Sequence, residues 1–156
     1  MTKEIKLKNG LTVLVDDEDY PILSQWNWCC VSNNKKYVKT NFSENGKQKP
    51  VYMHRFIMQA PKGMDVDHIN GNPLDNRKEN LRVCTHSENK RNTKKFKNNT
   101  TGYKGVSIKK DKFQVKISHD YKQVHIGLFN TVEEAAKAYN EAALKYHGEF
   151  ARLNEL

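Results

Sequence analysis

The sequence predicts an α+β protein. It should begin with small antiparallel sheets around a strand–turn–strand–helix unit and end with a three-stranded antiparallel sheet packed on one helix. Three observations carry this. Apolar and polar residues alternate in short runs along most of the chain, as half-buried strands require. Asn-Gly pairs at Asn9-Gly10, Asn45-Gly46 and Asn70-Gly71 punctuate those runs as turns. Near the C-terminus the period changes: Ala135, Ala138, Tyr139, Ala142 and Tyr146 recur at helical spacing.

Taken in order, residues 4–8 alternate, Asn9-Gly10 turns, and residues 11–15 return, which reads as a hairpin. Asp16-Asp17-Glu18-Asp19 is an acidic lead into a short helix ending near Ser24, where its charge complements the helix dipole. Residues 26–31 read as an aromatic strand, Asn33-Asn34 as a turn, and residues 36–41 as the return strand. Residues 51–58 run from strand into a short helix that stops near Pro61. His54 and Arg55 lie on that helix. They either belong to the site that follows, with Arg55 on phosphate, or dock the helix.

The next stretch is the chemical centre. Val66-Asp67-His68 is a short strand ending in an acid and an imidazole. Asn70, Gly71, Asn72 and Pro73 make a polar turn, residues 80–83 return, and Thr85-x-x-Glu88 caps a helix. A carboxylate and amide oxygens are hard ligands suited to Mg²⁺ (or Mn²⁺), and a neutral imidazole takes a proton from water near neutral pH. In isolation an Asp-His pair is a turn cap. Here it comes with spaced partners in Asn80 and Asn89, and a divalent ion with a general base is suited to phosphodiester hydrolysis.

Residues 66–89 resemble the HNH nuclease motif of phage and intron-type homing endonucleases. The resemblance implies a ββα-metal fold in which Asp67 binds the ion and His68 is the general base. Asn80 shapes the loop and orients the base, and Asn89 completes the metal site. His86, one turn earlier on the same helix, is the rival for that last role. The Met53-His54-Arg55 segment also has a counterpart just before the motif in such phage nucleases.

Composition sets the partners. Of 156 residues, 37% are hydrophobic, so one large core is not expected. The net charge is +9 and unevenly placed. Residues 1–85 carry +3 (13 basic, 10 acidic), residues 86–125 carry +8 (11 and 3), and residues 126–156 carry −2 (3 and 5). A basic belt directly after a phosphodiester site points to a polyanion, double-stranded DNA. Lys90, Arg91, Lys94 and Lys95 open that belt as an arm or linker over residues 93–101. The three cysteines, two of them adjacent, form neither a disulfide framework nor a C-x-x-C zinc pair. With no apolar leader, this predicts a cytoplasmic protein of a bacterial or phage-infected cell.

Residues 104–109, 113–118 and 122–126 then alternate. Val106, Ile108, Phe113, Val115, Ile117, Val124 and Ile126 form one face. Lys104, Ser107, Lys109, Gln114, Lys116, Gln123 and His125 form a polar face able to lie against a DNA groove. A helix follows from Val132, capped by Thr131-x-x-Glu134 and stopped by Gly148. Tyr103-Lys104-Gly105-Val106, Ile126-Gly127-Leu128-Phe129, Glu133-Glu134-Ala135-Ala136, Ala142-Ala143 and Leu153-Asn154 resemble the plant ethylene-response-factor DNA-binding domain. That resemblance implies DNA targeting. The face carries Lys where the plant domains use Arg and Trp, so their base preference does not transfer.

The sequence therefore predicts four segments: a supporting region over 1–60, the nuclease unit over 61–92, a basic linker over 93–101 and a DNA-binding domain over 102–156. One catalytic motif per chain predicts a monomer that nicks one strand. Two competing readings are a DNA-binding regulator with an inactive nuclease unit, and a zinc module using His54, His68, His86 and Cys84.

Overall fold

The computed structural model describes residues 1–30, 37–93 and 99–156. The chain is mixed α and β, and its described residues form four small antiparallel sheets. It divides into two compact units, Met1–Asn89 and Lys90–Leu156.

In the first unit, β1 (Thr2–Lys6) and β2 (Thr12–Asp16) form the hairpin expected from Asn9-Gly10. Helix α1 (Tyr20–Leu23) follows, with Pro21 in its first turn. Of the aromatic strand expected over 26–31, the described residues 26–30 place only Cys29–Cys30 in a strand, β3. The chain leaving α1 is still turning, since the Trp26 amide donates to the Leu23 carbonyl. The Trp28 indole donates to that same carbonyl at 2.7 Å. Trp26 packs its ring against Phe42 and Phe56 instead of extending the strand. The Asn33-Asn34 turn lies outside the described residues. Strands β4 (Val38–Glu44) and β5 (Lys47–Tyr52) complete the sheet, and α2 (Met53–Ile57) begins where β5 ends.

Strands β6 (Asp65–His68) and β7 (Leu81–Cys84) pair with Asp67 opposite Arg82 and His68 opposite Leu81. Helix α3 (His86–Arg91) follows. Its expected cap is present: the Glu88 amide donates to Thr85 Oγ1 and the Thr85 amide donates to the Glu88 carboxylate. One core joins these pieces. Val13 and Val15 of β2, Leu23, Trp28, Val38, Met53, Val66 and Leu81 are all buried together. The N-terminal hairpin and the β6–β7 hairpin thus share a core, which rigidly places the ends of β6 and β7.

In the second unit, β8 (Val106–Lys109), β9 (Lys112–His119) and β10 (Lys122–Phe129) form the expected sheet with β9 central. Helix α4 (Val132–His147) has both halves of its capping box. Ala135, Tyr139, Ala142 and Ala143 pack on Val106, Val115 and Ile117. Two positions differ from the alternation. Ile108, at the turn end of its hairpin, is 61% exposed. Gln114, flanked on both sides in the central strand by Ser107 and Leu128, is buried.

Gly105 shows why the Tyr103–Val106 signature has its spelling. Its φ is +75°, and a Cβ there would sit 2.1 Å from the Tyr139 ring and 2.9 Å from the Lys116 carbonyl oxygen. Asn154 closes the same corner. Its side chain accepts from the Lys104 amide at 2.7 Å and donates to the Lys104 carbonyl at 3.1 Å. Its backbone pairs reciprocally with the Asn140 side chain. Replacing Gly105 by Ala combines a left-handed backbone with an overfilled contact and should cost about 2–5 kcal/mol. Amide exchange across β8–β10 should accelerate. The fluorescence of Trp26 and Trp28, both in the first unit, should stay at its parent value. Unchanged exchange in β8–β10 would show that the glycine is not required.

Candidate active site

The loop between β6 and β7 is rich in residues that hydrogen-bond backbone locally, and the structure uses them. Asn70 Oδ1 accepts from the Asn72 amide at 2.7 Å, and Asn72 Oδ1 accepts from the Leu74 amide at 3.1 Å. Buried Asn80 spans the loop. Its Oδ1 accepts from the Asn70 amide at 3.0 Å, while its Nδ2 donates to Asn70 Oδ1 at 3.1 Å and to the Asp75 carbonyl at 2.8 Å. Asp75, 2% exposed, is gripped by Arg77 through Nε and Nη2, both at 2.8 Å. That pairing holds its carboxyl below the usual range. The loop is also sewn to β2, with Leu14 bonded to Leu74 and Asn76 through backbone groups.

This loop holds the candidate base. His68 Nε2 lies 3.4 Å from Oδ1 of Asn76. Asn76 is fully buried, and its Nδ2 donates to the Pro73 carbonyl, which fixes the amide so that Oδ1 faces the imidazole. A carbonyl oxygen there favours the proton on Nε2 and leaves Nδ1 as the basic nitrogen. Burial lowers the His68 pKa, partly offset by Asn76 and by the charges of Asp67 and Asp75. His54 lies edge-on, 5.2 Å between ring centroids, and Tyr37 stacks at 6.1 Å. His54 is itself buried. Its Nδ1 has no hydrogen-bond partner among the described residues, and burial together with His68 lowers its pKa to about 3. Two neutral imidazoles and a phenol therefore form one layer.

The acids lie on the other side of the strand. Asp65 and Asp67, two residues apart, share one face of β6. Asp67 is met by Arg82, with Nε at 3.0 Å and Nη2 at 2.7 Å from the same oxygen. Asn89 does not bond to Asp67: its Nδ2 donates to Asp65 Oδ2 at 3.0 Å, and His86 Nδ1 lies 2.9 Å from that oxygen. These two bonds, Asn89 first, lower the Asp65 pKa. Buried Cys84 is pushed up to about 11 by desolvation and then by Asp67 and Asp65, so it is a thiol at neutral pH.

The remaining sequence-predicted residues are dispersed. The Arg55 guanidinium donates to the carbonyls of Ala60, Pro61 and Met64, which docks α2 on the following turn. Lys90 is exposed and Arg91 half-buried, while Lys94 and Lys95 lie outside the described residues. On the C-terminal sheet Ser107, Lys109, Lys116, Gln123 and His125 are exposed. Lys104 is half-buried, and desolvation followed by Arg152 brings its pKa down to about 8. Sequence reasoning passed over Tyr37, Asp65, Asn76 and Arg82. Asp65 alone carried a readable signal, its two-residue spacing from Asp67.

The buried histidines make stability depend on pH. In the unfolded chain His54 titrates near 6.5, whereas folded it stays neutral down to about 3. Below about pH 6.5 the unfolded state therefore binds more protons, and stability falls as pH falls. Replacing His54 by Phe should remove about 2 kcal/mol of the stability difference between pH 7 and pH 5, read by urea unfolding. Equal pH slopes in parent and variant would mean that His54 is not held neutral.

A family model described as HNH endonuclease matches residues 51–91, the segment from the end of β5 through α3. The uncharacterized HNH endonuclease L560 of Acanthamoeba polyphaga mimivirus is 30% identical over 157 residues, spanning 94% of this chain and 76% of that protein. Protein 3.8 of Escherichia phage T7 is 37% identical over 95 residues, 60% of this chain and 78% of its own length. Protein 2.8 of the same phage is 42% identical over 64 residues, 41% of this chain and 45% of its own length. No solved structure matches. With the loop, the imidazole and the acids where they are, and with a 30%-identical relative matched over 94% of this chain, the chain belongs to the HNH endonuclease family.

Proposed function

We propose that the protein is a divalent-metal-dependent DNA endonuclease that nicks one strand of double-stranded DNA as a monomer. Residues 102–156 would be an ethylene-response-factor-like targeting domain, joined to the nuclease unit by the basic 93–101 segment. The observation that carries the proposal is the state of His68: a buried, neutral imidazole, aimed by Asn76 and held on a loop that Asn80 closes. A general base for water needs that protonation state and that immobility.

The donors on β6 and α3 suit a hard ion. Mg²⁺ keeps several waters and takes only one or two protein carboxylates; the acidic face of β6 supplies Asp67, and α3 supplies Asn89, which is tied to β6 through Asp65. Asp67 and Asn89 would hold Mg²⁺ (or Mn²⁺). When bound, the ion supplies positive charge against the departing 3′ oxygen. His68 takes the proton of a water whose oxygen forms the new bond to phosphorus, the bond to the 3′ oxygen breaks, and that oxygen takes a proton from solvent water. The products end in 5′-phosphate and 3′-hydroxyl. Arg82 neutralises Asp67 at the same carboxylate. The zinc-module reading is disfavoured. Among the described residues no three of His, Cys, Asp or Glu converge on one point.

The exposed Lys109, Lys116, Gln123 and His125 on the C-terminal sheet support the targeting role, since lysine meets phosphate as a point charge. Phage-type relatives support action in an infected bacterial cytoplasm. No helix among the described residues is long and apolar enough to cross a membrane.

On supercoiled plasmid with Mg²⁺, His68→Ala should lose nicking by about a hundredfold or more while DNA affinity stays near the parent value. Tight binding with no cleavage by the parent itself would favour the regulator reading. Deleting residues 101–156 should weaken binding and flatten its salt dependence, while leaving slow, less selective nicking. Unchanged site selectivity after that deletion would remove the targeting role.

A further inference from the structure

Metal ligands have to be aimed, and the groups that aim them matter nearly as much as the ligands themselves. Helix α3 offers two candidate ligands, His86 and Asn89, three residues apart and hence on one face. Both reach a single atom, Oδ2 of Asp65, at 2.9 and 3.0 Å. An amide that donates through Nδ2 turns its carbonyl oxygen away from the acceptor. An imidazole engaged through Nδ1 turns Nε2 away in the same manner. One oxygen of Asp65 thus sets the amide orientation of Asn89 and the ring orientation of His86 together.

The position of Asp65 suits this use. It shares the acidic face of β6 with Asp67, and its cross-strand neighbour is Cys84, one residue before the cap of α3. Its side chain is 32% exposed, whereas Asp67 is 8% exposed and paired with Arg82. The buried acid is therefore neutralised by Arg82, and the outer acid is engaged by the helix. We propose that Asp65 is a positioning residue: it ties α3 to β6 and presents the Asn89 carbonyl oxygen to the divalent ion. The inference rests on the metal-dependent reading above and names the device that completes that site. His86 shares the tether and is not itself the ligand.

The test uses the full chain with His68→Ala, so that DNA is never cut, and Mn²⁺ as the probe, its binding followed by electron paramagnetic resonance. Asp65→Ala should weaken Mn²⁺ binding by about tenfold or more. Asp65→Asn keeps an oxygen acceptor at the same place and should stay within about threefold of the parent, which also covers the case where the alanine variant does not fold. The discriminating measurement is the double variant. If Asp65 acts only through Asn89, Asp65→Ala with Asn89→Ala should bind no more weakly than Asn89→Ala alone. Additive losses would overturn the proposal, because Asp65 would then bind or attract the ion independently. A loss in Asp65→Asn as large as in Asn89→Ala would overturn it as well, by assigning the effect to charge. If His86→Ala loses as much affinity as Asn89→Ala, the oriented ligand is not the amide and the proposal fails. If the His68→Ala parent itself binds no Mn²⁺, it is the metal-dependent reading that fails, before Asp65 comes into question.

Discussion

The site depends on one buried amide. Asn80, the last residue of the loop, bonds both to Asn70 at its start and to the Asp75 carbonyl at its middle, so the chain between β6 and β7 is closed from inside. Without that bridge the loop would rely on local Asx turns, which order a few residues at a time. With it, Asn76 is held at a fixed distance from His68, and the imidazole receives a defined partner. The N-terminal hairpin completes the support, because Leu14 bonds to the loop on two sides and Asp16 accepts from the Lys78 amide. A loop that carries chemistry is here anchored to a rigid strand, the arrangement that keeps a reactive side chain within a narrow range of positions.

The electrostatics divide along the two faces of β6. On the histidine side the groups are kept neutral. Burial lowers the pKa of both His54 and His68, and it raises that of Tyr37, with Asp67 and Asp65 adding to the effect. On the acid side charges are kept but matched. Asp67 is bound by Arg82, and Asp65 accepts from Asn89 and His86. A buried acid without a partner would cost several kcal/mol, and Arg82 supplies Asp67 with that partner. An ion entering there would share the carboxylate with Arg82. This limits how tightly the site can hold metal.

Much of the fold was legible because it is locally encoded. Asn9-Gly10 specified the first hairpin, Thr85-x-x-Glu88 and Thr131-x-x-Glu134 specified two helix starts, and strict alternation over 113–118 specified the central strand of the second sheet. What was not legible depends on register and on long-range packing. Arg82 meets Asp67 because the β6–β7 hairpin pairs those two residues, and the fourteen residues between them hide that from the sequence. Tyr37 reaches His68 only through the packing of β4 and α2, and Asn76 looked like one more turn residue until its burial set it against the imidazole. Gln114 and Ile108 departed from the alternation for related reasons: a central strand is covered by both neighbours, and the turn end of a hairpin is not.

The C-terminal sheet bears on what kind of targeting the proposed reading allows. Its exposed face is made of Ser107, Lys109, Lys116, Gln123 and His125, with Leu128 brought onto it by the irregularity between His125 and Gly127. The strong base-edge contacts in a major groove are bidentate, made by Arg to guanine or by Gln and Asn to adenine. Among the described exposed residues of this face, Gln123 alone has that two-pronged chemistry, and its Nε2 already donates to Ser118 Oγ at 2.5 Å. On the proposed reading the lysines would contribute affinity through phosphate, which is insensitive to sequence and weakens steeply with salt. A face so composed would fix where a duplex lies more than which bases it carries. Discrimination among sites then has to draw on the shape and deformability of the DNA as well as on a few polar contacts. A nicking enzyme of the proposed kind would be able to use that arrangement, because its chemistry would need one phosphate held still and would place no demand on the identity of the bases around it.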